Sequence, residues 1–229
     1  MRVSALIPAK GFTGAKQRLA SLLSAAEREV LAEAMLRDVL GQVILARGIE
    51  AVFVVTADTR VAQLASSLGA RVVREHEERG ETEAVALALA EMKECGVQAA
   101  LVVPGDIPLL RSDDIEFVLE QVSSEISVSP LALVVPSHDR MGTNALLLFP
   151  PDVIQLRFGY DSFSYHLSEV AAKGLSSRVL ENERIALDID TPEDLERFLL
   201  AGGGSETYSR LLRMSAAQPW TVTRSSEGL

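Results

Sequence analysis

Three aspartates stand just beyond apolar runs. Asp106 follows "AALVVP" (99–104) and sits between Gly105 and Pro108, while Asp188 and Asp190 alternate within "LDIDTPEDL" (187–195). In parallel α/β sheets ligands bind beyond the carboxyl ends of strands, and alternate residues of a strand share a face. Two carboxylates brought from separate strand ends can hold one Mg²⁺ together with phosphate oxygens. The plainer reading is that each acid caps a neighbouring turn or helix. Thr191 already suits the cap of the next helix, which leaves at least one of Asp188 and Asp190 without that task.

The opposite charge lies in "PAKGFTGAKQRLA" (8–20), directly after the first strand. It carries Gly11, Gly14, Lys10, Lys16 and Arg18. Backbone N–H groups and cations of such a loop can cradle a polyphosphate. The loop is neither a Walker A motif nor a Gly-x-Gly-x-x-Gly dinucleotide fingerprint. Alone it also reads as a solvated basic loop; beside a carboxylate pair it gains meaning.

These residues need a frame. Val3–Ile7, "AVFVVTAD" (51–58), "ARVVRE" (70–75) and "AALVVP" read as strands, and helical patterns separate them. Ser24 and Glu27 form a capping box ahead of the first long helix. A helix after the second strand runs to Leu68 and stops at Gly69, and an Ala- and Leu-rich helix spans roughly 83–94. This alternation implies a parallel sheet with helices on both faces. After residue 125 the rhythm changes. "LALVVPS" (131–137) and "TNALLLF" (143–149) read as an antiparallel pair, "SRVLE" as a short late strand and "IALDID" as another strand. That strand would run into the helix "TPEDLERFLLA", with Thr191 as cap, Pro192 at its first position and Gly202 as stop. The domain is expected over 1–201, with 202–229 a tail that is flexible or docks on its own chain or a neighbour. Trp220 lies in that tail.

Composition sets the limits. With 229 residues, 48% hydrophobic and 24% charged, the chain can bury the core of one large domain. A net charge of −10 argues against a general nucleic-acid or anionic-membrane binder. The single cysteine, Cys95, excludes an internal disulfide and reads as a small apolar filler at a helix end. The N-terminus begins a strand without a signal-peptide segment, and no apolar stretch approaches a membrane span, so a cytoplasmic protein is expected. His166 reads as a helix cap or an anion ligand, and His76 and His138 as solvated. The run "EHEERGETE" reads as a solvated face apart from Gly80.

In order and spacing, "IPAKG…AKQRLA", "VVPGDIPLL", "GTNALLL", "RFGYDSFSYH" and "LDIDTPEDL" resemble the 2-phospho-L-lactate guanylyltransferase family of coenzyme F-420 biosynthesis. The resemblance covers about residues 1–200. It implies a single α/β nucleotidyltransferase fold of the glycosyltransferase-A type, with a mostly parallel sheet flanked by helices. It implies GTP and Mg²⁺, and transfer of GMP to the phosphate of a small acid: phospholactate, phosphoenolpyruvate or 3-phosphoglycerate. A homodimer and hand-over of the product to the downstream deazaflavin-coupling transferase are expected in the same way.

Carried over by motif, Pro8, Ala9, Lys10, Lys16, Gly80, Thr82 and Gly105 would hold the nucleotide. Lys16 and Arg18 would lie on its phosphates and, with Asp106, serve catalysis. Asp106 and Asp190 would hold Mg²⁺, with Asp188 in support. Thr143, Asn144, Arg157, Phe158, Gly159, Tyr160, Asp161 and Ser162 would form the acceptor side. The chain departs from the family pattern twice. Thr82 replaces the Asn of a Gly-Leu-Asn-x-Ala pattern that contacts base or ribose. "FGYDSF" replaces Phe-Gly-Pro-Gly-Ser-Phe, so Tyr160 and Asp161 stand where a Pro-Gly pair is usual. Groups that hydrogen-bond an acceptor hydroxyl decide whether it is admitted. Tyr160 and Asp161 either do so or face solvent and matter only through the loop backbone, which would widen the pocket; by either route the segment is expected to help admit 3-phosphoglycerate. Rival readings are a cytidylyltransferase of the same fold and a non-catalytic nucleotide-binding regulator.

Overall fold

A computed structural model describes residues 3–122 and 129–217. Trp220 lies outside the described residues. In chain order the elements are β1 (Val3–Pro8), a single 3-10 turn (Gln17–Leu19), α1 (Ala25–Leu45), β2 (Ile49–Thr56), α2 (Thr59–Ser67), β3 (Arg71–Arg74), α3 (Glu81–Glu94), β4 (Ala99–Val102) and α4 (Ser112–Glu120). There follow β5 (Leu131–Pro136), β6 (Thr143–Phe149), α5 (Ser162–Ala172), β7 (Ser176–Val179), α6 (Glu183–Ala186), α7 (Pro192–Ala201) and α8 (Glu206–Ala217).

The described strands form one seven-stranded sheet in the order β3-β2-β1-β4-β6-β5-β7. The β1–β2, β1–β4, β2–β3 and β5–β7 pairs are parallel; β6 pairs antiparallel with both β4 and β5. This reversal matters for the site. It brings the first residues of β6, Thr143 and Asn144, to the edge where β1 and β4 end. Val102 sits opposite Leu146 in that ladder.

Strand alternation divides the core. Ala5, Ile7, Val54, Leu101, Leu133 and Leu147 pack with Leu36, Val39, Leu40 and Val43 of α1 on one face. Leu6, Phe53, Val102, Val134, Leu146 and Leu148 pack with α3 and α5 on the other. Both faces are covered, so strand interiors read as unbroken apolar runs.

A third cluster joins Leu31 and Met35 of α1 to Leu195 and Phe198 of α7 and Leu211 of α8, and encloses Leu19, Leu187 and Ile189. It therefore anchors both the end of the basic loop and the segment bearing Asp188 and Asp190. Within residues 202–217 the chain forms α8, docked on α1. Both carboxylate oxygens of Asp38 accept from the helix start: the N–H of Glu206 at 3.0 Å and the N–H and hydroxyl of Thr207 at 2.8 and 2.6 Å.

The capping box at Ser24 and the Thr191 cap with Pro192 at the helix start are present as expected. "IALDID" is not a strand. Asn182 accepts from the N–H groups of Arg184 and Ile185, which starts the one-turn helix α6. Residues 187–190 then run outside the sheet. Alternation survives there: Ile189 is fully buried, with the two acids on either side.

Candidate active site

Two cavities of about 640 and 570 Å³ open at the sheet edge, and Glu81, Pro104, Asp106 and Asp190 line both. The first takes in Pro8, Ala9, Lys10, Gly11, Gly14, Lys16, Gly80 and Gly105. The second takes in Arg18, Thr143, Asn144, Phe158, Gly159, Tyr160, Ser162 and Asp188. Arg157, Asp161 and Thr82 line neither.

Asp106 follows β4, and its carbonyl accepts from the Ile189 N–H at 3.1 Å. That single backbone bond couples the two aspartate segments. Asp190 is held in turn by Asp194, whose Oδ2 accepts from the N–H groups of Asp190 and Thr191. Between the acids lies Lys16. Its Nζ donates to Asp106 Oδ2 at 2.6 Å and to Asp190 Oδ1 at 2.8 Å, and its side chain is 9% exposed. Burial alone would push the ammonium down; the two carboxylates outweigh it and drive its pKa up. Asp190 is only partly buried, its side chain 42% exposed; desolvation would push its carboxyl up, yet Lys16 and then Arg18 hold it below its ordinary value. Arg18 is 73% exposed, with a nitrogen 3.7 Å from Asp190 Oδ2.

Lys16 thus touches the metal-candidate acids themselves. It adopts a left-handed conformation, φ 52°, uncommon for a residue with a side chain. Arg28, buried on α1, secures the approach by donating to the carbonyls of Ala15 and Leu23 at 3.2 and 2.7 Å. Its signal in the sequence was its place three residues before Leu31 on the apolar stripe. Gly11 allows a close approach: a Cβ there would stand 2.9 Å from Asp58 Oδ2, and that carboxylate would have to shift.

Two further acids face the junction. Burial and then the charge of Asp106 push Asp188 up, opposed by Asn144, whose amide donates to Asp188 Oδ1 at 3.0 Å. Burial and Asp106 likewise push Glu81 up, opposed by Lys10. Glu81 belongs to the run that reads as a solvated face; its place on the first turn of α3, beside both cavities, is a tertiary fact.

Among the described residues no three His, Cys, Asp or Glu side chains converge into a metal cage. The donor set nonetheless suits Mg²⁺, which takes one or two carboxylates and completes its shell with water and phosphate oxygens. Asp106 and Asp190 already gather around one cation, the Lys16 ammonium, and Asp188 and Glu81 add negative charge beside them.

On the acceptor side most of the bonds join neutral groups, the Asn144–Asp188 bond apart. The Thr82 hydroxyl accepts from the Phe158 N–H at 2.9 Å, so it fastens the acceptor loop to α3 and does not face the first cavity. Asn144 also donates to the carbonyls of Ile185 and Ala186, so it orients Asp188. The Arg157 guanidinium stacks 4.3 Å from the Tyr165 ring centre. Tyr160 is 86% exposed. Asp161 has φ 55°, a left-handed position that a glycine adopts without strain. Tyr160 reaches the second cavity from its rim, whereas the Asp161 side chain lines neither cavity and its left-handed backbone bends the loop there. His166 is no exposed anion ligand, because it is fully buried. Cys95 is exposed rather than filling a gap, and His138 lies 3.7 Å from buried Asp194.

Comparison with known proteins places this geometry. The family described as "Guanylyl transferase CofC like" matches residues 3–225. A phosphoenolpyruvate guanylyltransferase of Conexibacter woesei is 35% identical over 96% of this chain and 99% of its own. A 2-phospho-L-lactate guanylyltransferase of Methanothermobacter thermautotrophicus is 37% identical over 94% and 93%. A 3-phospho-D-glycerate guanylyltransferase of Phenylobacterium zucineum is 37% identical over 83% and 86%. Among solved structures, a Desulfovibrio desulfuricans protein assigned as a nucleotide-diphospho-sugar transferase superposes with a TM-score of 0.74 at 17% identity, covering 94% and 95% of the two chains. A CMP:2-keto-3-deoxy-manno-octonic acid synthetase superposes with 0.59 at 17%, covering 88% and 99%. At such identities the structures speak for the fold alone.

Proposed function

The chain belongs to the CofC-like guanylyl transferase family, and from that premise we propose that it transfers GMP from GTP to the phosphate of a small phosphorylated three-carbon acid in coenzyme F-420 biosynthesis. The observation that carries this reading is the meeting of two cavities at Asp106 and Asp190, with Lys16 held between them. One cavity, bordered by the basic glycine loop, suits the nucleotide. The other, bordered by Thr143, Gly159 and Ser162, suits the acid.

The acceptor phosphate attacks the α-phosphorus and pyrophosphate leaves in line. A phosphate nucleophile is already anionic, so no general base is needed; the barrier is repulsion between two anions. Lys10, Lys16 and Arg18 reduce that repulsion, and the two walls align the reactants. Asp106 and Asp190, with Asp188 beside them, would hold Mg²⁺, which when bound supplies positive charge to phosphate oxygens. Lys16 keeps the two acids together and stands within reach of whatever the junction holds. The phosphodiester product would pass to a transferase that couples it to a deazaflavin, and the enzyme would work as a homodimer.

Among the acids, 3-phospho-D-glycerate remains the first choice suggested by the Tyr160–Asp161 segment, now through the shape of the loop. The test is pyrophosphate release with GTP or CTP against 3-phosphoglycerate, phospholactate and phosphoenolpyruvate. Turnover with GTP and at least one acid is expected. Turnover with CTP alone would make this a cytidylyltransferase, and binding without turnover would make it a regulator.

A further inference from the structure

His166 is a buried titratable side chain that the reaction above does not use. Its ring is fully buried and stands edge-on to Phe158 and Tyr165, with centroids 5.3 and 5.9 Å away. The main-chain N–H of Arg157 donates to its Nε2 at 3.4 Å, so Nε2 must present a lone pair. A neutral imidazole with a lone pair on Nε2 carries its proton on Nδ1. Nδ1 lies 2.9 Å from Thr143 Oγ1. The Nδ1–H therefore donates and the threonine oxygen accepts.

The consequence falls on the hydroxyl proton of Thr143, which cannot point back at the ring. Among the described residues that hydroxyl has no other partner, and Thr143 lines the acceptor-side cavity. We propose that His166 is a positioning residue: by holding the Nδ1–H tautomer it makes the Thr143 hydroxyl a fixed donor toward an anionic oxygen of the acceptor acid. The same ring anchors the loop at Arg157, so one side chain sets both the floor and the wall of that cavity. Burial, and then the charge of Arg157, keep the imidazole uncharged, with a pKa near 4. The inference rests on the acceptor-side reading above.

The first measurement needs no activity. Long-range ¹H–¹⁵N spectra of the full chain, with His166 assigned by its loss in His166→Gln, should show a neutral ring protonated at Nδ1 from about pH 6 to about pH 8. A ring protonated at Nε2, or charged, overturns the proposal. The second measurement is kinetic. His166→Gln keeps an acceptor near the Nε2 position but removes the Nδ1–H. It should raise KM for the acid roughly tenfold to a hundredfold and leave KM for GTP near wild type. His166→Asn keeps a donor near the Nδ1 position and should recover part of that loss. Thr143→Val should raise KM for the acid comparably, and adding His166→Gln to it should add little. Equal rises in both KM values, or full additivity, would reduce His166 to packing and overturn the proposal. If wild type turns over no acid, the proposed function fails first. Calorimetry of each acid with wild type and His166→Gln then decides the relay: equal affinities, or no binding to either, would overturn it.

Discussion

The two walls of the cleft are built on different principles. The wall of the first cavity is ionic: Lys16 is locked between two carboxylates and Lys10 stands near them, while Arg18 reaches Asp190 from the second cavity. The second wall is held mainly by hydrogen bonds between neutral groups, Phe158 to Thr82, Arg157 to His166 and His166 to Thr143, with the Asn144 amide donating to the Asp188 carboxylate at its edge. A triphosphate brings so much charge that the wall facing it must mainly neutralise. A three-carbon acid offers few atoms, so the wall facing it must orient. On the proposed function, charge would supply rate on one side and fixed donors would supply selection on the other.

The largest effect should come from removing charge where the walls meet. Asp106→Asn and Asp190→Asn should each keep the fold and lower turnover by roughly a hundredfold or more, because each removes an anionic ligand while preserving shape. Steady-state kinetics at limiting Mg²⁺ checks this, and a near-wild-type rate would remove that residue from the metal site. Next is the contrast between two cations of one loop. Lys16→Ala should cost roughly tenfold to a hundredfold in kcat/KM for GTP and steepen its salt dependence, since Asp106 and Asp190 would then repel each other uncompensated. Arg18→Ala should cost less than about fivefold, as expected for a largely exposed charge. Equal losses would mean that burial does not distinguish them.

The acceptor wall should show itself in stability. His166 has a folded pKa near 4 against an ordinary 6.5. Between these values the unfolded chain binds the proton and the folded chain does not. Its contribution is therefore full above pH 6.5 and is lost as the pH falls toward 4, amounting to about 3 kcal/mol at most. Denaturant midpoints across that window should fall less in His166→Gln than in wild type. The smallest effect is expected at Asp161. Glycine should relieve the left-handed backbone and stabilise by about 0.5–1 kcal/mol. A preference among the three acids unchanged by Asp161→Gly would assign selection to the hydrogen-bonded wall behind the loop.

What could be read beforehand follows the range of the interactions. The four parallel strands, the Ser24 box and the Thr191 cap are local patterns, and all appear in the structure. Asp188 and Asp190 face the cleft as alternation suggested, although "IALDID" forms no strand. Its backbone partners are the Asp106 carbonyl and the His138 N–H rather than a ladder, and nothing local encodes that. Lys16 was legible as a cation near phosphate, but its carboxylate partners lie 90 and 174 residues away. Thr82 and Glu81 exchange the roles their types suggest: the hydroxyl turns into the scaffold, and the acid of an apparently solvated run lines both cavities. His166 falls between Phe163 and Val170 on the buried stripe of α5, so helical spacing hints at its burial; its bond to Thr143 on β6 is tertiary and has no local signal.

The reversed strand carries a consequence for how such an enzyme can diversify. Beyond β1 and β4 the chain is leaving the sheet when it reaches the cleft, so the nucleotide wall is written downstream of each strand. On β6 the chain is arriving, so Thr143 is reached through the preceding turn, 137–142. Insertions or exchanges in that turn would reshape the rim over the acid without moving a residue of the basic loop or the register of β1 against β4. On the proposed function that turn could drift and retune the acceptor rim while the basic loop is kept, whereas Glu81, Pro104, Asp106 and Asp190, which border both cavities, could not change for one substrate alone.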